Sequence, residues 1–172
     1  ACSKLNIPLI HISTDYVFNG TATIPYTEDD KVNPMSVYGK SKWEGEEVIR
    51  KCLKNHLIIR TAWLYGVNGN NFVKTMIRLA KEREEIRVVN DQKGCPTWTG
   101  DLADALVSVV NRIAKDPKDI NWGTYHYCGD GITSWHGFTE AIISKARERE
   151  SFRVQKIMPI PTTEYPTPAK RP

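Results

Sequence analysis

Short apolar runs alternate with helix-period stretches along nearly the whole chain, and that alternation leaves it few folds. Residues 8–13, 57–61 and 86–89 are compact apolar runs that read as strands, and residues 124–128 read as a fourth. Asn33, Pro34 and Ser36 open a helix reaching about Lys54, with acids early and Arg50, Lys51 and Lys54 late, as the helix dipole prefers. Phe72, Thr75, Met76, Leu79 and Ala80 mark one face of a second helix. Asp101 can cap a third, with an inward stripe of Leu102, Leu106, Val109, Val110 and Ile113. Ser134 can cap a last helix that turns Phe138, Ile142 and Ala146 inward. Continuous apolar strands are the pattern of parallel pairing with both faces covered. The expectation is an α/β fold around a doubly wound, mostly parallel sheet.

At 172 residues the chain has one domain's worth of sequence and can bury a real core. Its +4 balance is mild, and its basic residues are spread out or mixed with acids, as in Lys81-Glu82-Arg83-Glu84-Glu85. That is a solvated helix face, so nucleic acid is excluded as a partner. No apolar run approaches the roughly 20 residues of a membrane helix, so a membrane is excluded too. Cys2, Cys52, Cys95 and Cys128 are scattered with no C-x-x-C pair, which suits a reducing compartment and a cytoplasmic location. The chain opens in what reads as the end of a helix and closes in a Pro-rich loop, so both ends read as cuts and no signal peptide is expected.

The residues between His11 and Lys42 carry the chemistry. Thr14 and Asp15 stand at the carboxyl end of the first strand, where open α/β sheets bind ligands. Tyr38 and Lys42 are i and i+4 on the following helix and share one face. Reducing a ketone with hydride requires a proton donor at the oxygen and a group to orient it. Tyrosine, with a reference pKa of about 10, is a poor acid at neutral pH, and a neighbouring ammonium favours its phenolate. Lys42 can supply that field, and the Thr14 hydroxyl can donate to the same oxygen. Blander roles fit each residue singly: Thr14 as a satisfied strand-end hydroxyl, Asp15 as a turn cap, Trp63 and Tyr65 as core, and His11 as a core histidine.

Together these segments are more specific than any one of them. The run from His11 to Gly20 followed by Tyr38-Gly39-Lys40-Ser41-Lys42 resembles the extended short-chain dehydrogenase/reductase superfamily, and within it the dTDP-4-dehydrorhamnose reductase family. Arg60-Thr61-Ala62-Trp63-Leu64-Tyr65-Gly66, Asn71 to Met76, Asp91 to Thr97 and Thr167 to Pro172 agree in order and spacing. The resemblance implies a Rossmann-like sheet, with residues 1–66 forming its second half and carrying the catalytic residues. Residues 67–172 would be a mixed remainder, partly Rossmann-like and partly a small α/β substrate-binding portion. It implies Thr14, Asp15, Tyr38 and Lys42 as the catalytic group, with Ser13, Tyr38, Lys42 and Thr61 toward the cofactor. Thr14, Trp63, Gln92, Pro96, Thr97 and Arg171 would lie toward the substrate, with Trp63 against the deoxysugar. The implied reaction is hydride transfer from NADPH or NADH to C4 of dTDP-4-dehydro-β-L-rhamnose. Mg2+ and a second copy of the chain, as a homodimer, are compatible additions.

The family's Gly-rich turn that cradles a pyrophosphate has no counterpart here, because no G-x-x-G-x-x-G follows a strand. The chain by itself is therefore expected to bind a dinucleotide poorly. Sugar-nucleotide dehydratases of the superfamily carry Asp-Glu after the threonine, whereas Tyr16 follows Asp15 here and favours simple reduction. A non-catalytic regulatory subunit of the methionine adenosyltransferase β type is the alternative outside enzymes.

Overall fold

The structure is a computed structural model that describes residues 1–165. In chain order its elements are α1 (Cys2–Leu5), β1 (Leu9–Thr14), a 3₁₀ turn (Asp15–Val17), α2 (Val37–Cys52), β2 (His56–Thr61) and β3 (Leu64–Tyr65). Next come α3 (Phe72–Glu82), β4 (Glu85–Val89), β5 (Lys93–Gly94), β6 (Thr97–Trp98) and α4 (Thr99–Lys115). After a second 3₁₀ turn (Pro117–Asp119), β7 (Gly123–His126), β8 (Thr133–Ser134), α5 (Trp135–Arg147) and β9 (Lys156–Ile160) follow, with a last 3₁₀ turn at Thr162–Glu164. Arg171 and the segment from Thr167 to Pro172 lie outside the described residues. Among those described, no helix is long and apolar enough to cross a membrane.

The described residues divide into two compact units, one of residues 1–62 and 101–128, the other of 63–100 and 129–165. Each unit is thus assembled from segments that are discontinuous in sequence. The reason lies in strand pairing: the first unit's sheet has the order β1-β2-β7, and each β7 residue pairs with a β2 residue 66 positions earlier, as Gly123 does with Leu57. Both pairings in this sheet are parallel, with Thr14 opposite Thr61 and Arg60 opposite His126. As the central strand, β2 is buried at every position. That includes Arg60, 4% exposed, a charge that such a strand tolerates only with a partner.

Glu46 is that partner. It lies on the face of α2 turned to the sheet and is 0% exposed. Its carboxylate accepts from Ser13 Oγ at 2.5 Å, from Arg60 Nε at 3.1 Å and Nη2 at 2.8 Å, and from Arg50 Nη2 at 2.8 Å. One side chain thus ties α2 to β1 and β2. Burial alone would raise the carboxyl's pKa, but the hydrogen bonds from Arg60 and Ser13 and the Arg60 charge outweigh it and hold it below the ordinary value.

The second unit has its own core, formed by Met76, Ala80, Ile86, Val88, Ile142, Ile143 and Val154. In this unit β4 pairs in parallel with β9, β3 in parallel with β6, and β5 antiparallel with β8. The sequence reading missed β9 because Pro159 interrupts the run, and its ladder partner β4 is seventy-one residues earlier. Asp101 does not cap α4, which starts two residues before it, so the acid falls in the first turn. Of α4's apolar stripe only Leu102 is buried, and Val110 is 51% exposed. Ser134 caps α5 as expected, its Oγ accepting from Gly137 N at 3.0 Å.

Glu46→Gln leaves Arg60 buried with its charge uncompensated, and the urea unfolding midpoint should fall by the equivalent of about 3 kcal/mol. Arg78→Ala breaks an exposed i,i+4 pair with Glu82 and should cost at most about 0.5 kcal/mol by the same measurement.

Candidate active site

The carboxyl end of β1 runs straight into the 3₁₀ turn. Thr14, 6% exposed, caps this turn: its Oγ1 accepts from Tyr16 N at 3.2 Å and donates to Asp15 Oδ1 at 3.0 Å. The hydroxyl proton is therefore directed at Asp15, and donating to a ligand oxygen requires only a rotation about the Cβ–Oγ1 bond. Ser36 Oγ accepts from Gly39 N at 3.1 Å and starts α2 one residue before Val37. A Cβ on Gly39 would collide with the Tyr16 carbonyl oxygen. Glycine at that position lets the first turn of α2 press against the Thr14–Tyr16 turn. Tyr38, the next residue back, is 52% exposed, and its ring meets that of Tyr16 edge-on with centroids 5.5 Å apart.

Lys42, one turn further along α2, reaches into the sheet. Its Nζ donates to Ile12 O at 2.5 Å and lies 3.4 Å from His11 Nε2. An ammonium has only protons to give, so His11 Nε2 is the unprotonated nitrogen. Tyr38, Lys42 and Glu46 therefore form a single stripe along α2. Lys42 bonds Ile12, Glu46 bonds Ser13, and Thr14 is the next residue of the strand.

Ser13, expected near a cofactor, instead spends its hydroxyl proton on Glu46 and is 4% exposed. Thr61 differs: its Oγ1 is buried with no hydrogen-bond partner among the described residues, opposite Thr14 in the strand register. A buried orphan hydroxyl at the ligand-binding end of a parallel sheet fits the polar edge of a nicotinamide cofactor. No group of three or more His, Cys, Asp or Glu among the described residues could hold a metal ion.

In the second unit, Trp63 adopts φ +50°, the left-handed region, which costs a bulky residue about 1–3 kcal/mol and persists only where surroundings enforce it. Its indole stacks on Trp135 with centroids 3.5 Å apart and planes 10° off parallel. A Cβ on Gly94 would come within 2.6 Å of the Trp63 ring, so only glycine allows the β5 backbone to sit there. Gln92 accepts from Trp135 Nε1 at 3.1 Å and donates to Thr162 Oγ1 at 3.1 Å. Thr97, expected to face substrate, is 0% exposed, with its N–H on Trp63 O at 3.2 Å and its hydroxyl on Cys95 O at 3.3 Å. In β6 this side chain is turned inward. A Cβ on Gly129 would collide with the Pro96 carbonyl oxygen, so the two backbones pack closely there.

Sequence reasoning missed Glu46, Arg60, Trp135 and Gly94. Glu46 was findable, since it repeats the Tyr38–Lys42 spacing once more and puts an acid on a helix's inner face. Trp135 was findable at i−3 from Phe138, on the inward stripe of α5.

Two histidines make the first unit acid-sensitive. Burial and then the Lys42 charge hold His11 below its ordinary 6.5, against a smaller opposing effect of Glu46. Burial holds His126 below 6.5 too, with Glu28 opposing and Arg60 assisting. His126 Nδ1 donates to Tyr26 O at 3.2 Å and its N–H to Glu28 Oε1 at 2.7 Å, which ties the loop of residues 19–33 to β7. Both folded pKa values are depressed, so the unfolded chain takes up protons first as pH falls through 6.5. Their contribution to stability is complete above that value and is lost as pH falls below it toward the depressed folded-state values. The urea midpoint should be lower at about pH 5.5 than at about pH 7.5, and His11→Gln should narrow the gap.

Residues 1–172 match the family described as RmlD substrate binding domain. The chain is 43% identical to the dTDP-4-dehydrorhamnose reductase of Escherichia coli strain K12, with all of this chain and 57% of that protein aligned. It is 45% identical to the spore coat polysaccharide biosynthesis protein SpsK of Bacillus subtilis, covering 99% of this chain and 56% of that one. Among solved structures, the dTDP-4-dehydrorhamnose reductase of Clostridium acetobutylicum superposes with a TM-score of 0.88 at 44% identity, over 99% of this chain and 56% of that one. The Bacillus anthracis dTDP-4-dehydrorhamnose reductase in complex with NADP gives 0.85 at 41% identity, over 99% and 57%. The fold is thus α/β and Rossmann-like, and the chain spans rather more than half the length of the curated relatives it matches. With its whole length matched, the chain belongs to the RmlD substrate binding domain family.

Proposed function

We propose that this chain is the catalytic and substrate-side part of an NADPH-dependent reductase that converts the C4 ketone of dTDP-4-dehydro-β-L-rhamnose to the alcohol of dTDP-L-rhamnose. The observation that carries the reading is the Tyr38–Lys42 pair, one turn apart on a helix pressed by Gly39 against the Thr14–Tyr16 turn. Relatives more than 40% identical that bear the reductase name support it, as does the NADP complex of one of them.

In the proposed mechanism the bound nicotinamide supplies a hydride to C4. The Tyr38 hydroxyl gives its proton to the oxygen of the same carbonyl, so the C=O bond becomes CH–OH. The Lys42 ammonium offsets the phenolate left on Tyr38 and holds the cofactor ribose. Thr14 turns its hydroxyl from Asp15 toward the ketone oxygen and orients it. Thr61 supplies a hydroxyl to the cofactor edge, and Trp63 supports the sugar. Arg171 is assigned to the substrate by resemblance alone. The same reading places the protein in the cytoplasm, where its nucleotide substrate and cofactor are made, and NADH and a homodimer are compatible with it.

The test is NADPH oxidation with dTDP-4-dehydrorhamnose by the full-length protein that carries this chain. Tyr38→Phe should lower kcat by at least about a hundredfold, with KM little changed, because only the proton donor is lost. A variant that turns over like its parent would remove Tyr38 from the mechanism. A parent that binds NADPH but does not turn over would favour a regulatory subunit.

A further inference from the structure

Trp63 is held by more constraints than a core tryptophan needs. Its backbone is left-handed, its ring lies 3.5 Å from that of Trp135 in a near-parallel stack, and Gly94 leaves no room for a Cβ beside it. Trp135 is itself anchored, through Nε1 to Gln92 and through its ring to Phe72, with centroids 4.5 Å apart. Strain enforced from several sides is the mark of a preorganised ligand contact more than of packing. A fixed indole is a platform for the C–H face of a pyranose.

We propose that Trp135 is a positioning residue for sugar recognition: stacked on Trp63 and tied to Gln92, it holds the Trp63 indole where a nucleotide sugar's pyranose packs. The inference rests on the reductase reading and adds to it a residue that touches no substrate. Its signature is selectivity. Loss of Trp135 weakens binding of the sugar moiety and leaves the nucleotide moiety alone, whereas a general loss of packing weakens both.

The experiment is calorimetric titration of the full-length protein that carries this chain, and of its Trp135→Ala and Trp135→Phe variants, with dTDP and separately with dTDP-L-rhamnose. Circular dichroism of each protein reports the exciton couplet of two stacked indoles. The parent should show the couplet and both variants should lack it. Trp135→Ala should raise the Kd for dTDP-L-rhamnose roughly five- to tenfold, the scale of one aromatic contact, with the Kd for dTDP unchanged. Trp135→Phe, which keeps a ring, should fall between. If Trp135→Ala does not fold, Gly94→Ala carries the test, because its methyl displaces the Trp63 ring while Trp135 stays; the same selective loss is expected. A parent without the couplet, variants that bind dTDP-L-rhamnose like the parent, or equal losses for both ligands would each overturn the inference alone. A parent that binds neither ligand would overturn the reductase reading and this inference with it.

Discussion

A carboxylate shut away from water persists only if nearly every lone pair is met, and the Glu46 carboxylate is met by three side chains from three elements. The first unit's site hangs on that arrangement. Arg60 can occupy the central strand because Glu46 neutralises it, and Ser13 is drawn to α2 by the same group. With Lys42 bonded to the Ile12 carbonyl, helix and strand are pinned at two consecutive residues, directly before Thr14. Ion pairs of this kind contribute little net stability over an apolar core, since desolvation offsets much of the attraction. What they do supply is register, and register is what fixes Tyr38 on α2 beside the Thr14 hydroxyl at the end of β1.

Backbone contact completes what charge begins. Gly39 brings α2 against the Tyr16 carbonyl, so Tyr38 stands beside the turn that Thr14 caps. The motif around Tyr38 thus has two physical jobs in five residues. Tyr38 and Lys42 share a face by helical periodicity, and the glycine between them removes the side chain that would push that face away. Gly94 plays the corresponding part in the second unit, where the β5 backbone lies against the Trp63 indole. In both places a missing Cβ sets the position of an aromatic ring.

The fold was legible wherever local pattern decides it. The strand at residues 8–13, the helix carrying Tyr38 and Lys42, the Ser134 cap and the apolar face of α3 all follow from period, propensity and capping, which act within a few residues. β9 was not legible, because Pro159 breaks its run and its partner β4 is remote in sequence. The apolar stripe of α4 misled, since a stripe signals a face able to be buried and not what covers it. For the candidate site, Tyr38 and Lys42 could be read from spacing, but the states of the hydroxyls could not. Ser13 and Thr14 are neighbours of like chemistry, yet alternation along the strand sends one to Glu46 and the other to the turn.

The sequence by itself determined which residues lie in strands and helices, that Tyr38, Lys42 and Glu46 share one helical face, and that the sheet is mostly parallel. Each of these depends on interactions between residues a few positions apart. Only the tertiary structure decided that β7 returns to β2 and makes the units discontinuous. It also decided that Thr97 is wholly buried, that the Thr61 hydroxyl has no partner among the described residues, and that Trp63 is stacked on a tryptophan seventy-two residues later. Those outcomes depend on which distant groups compete for the same proton, lone pair or ring face, and that competition is settled only when the chain is packed.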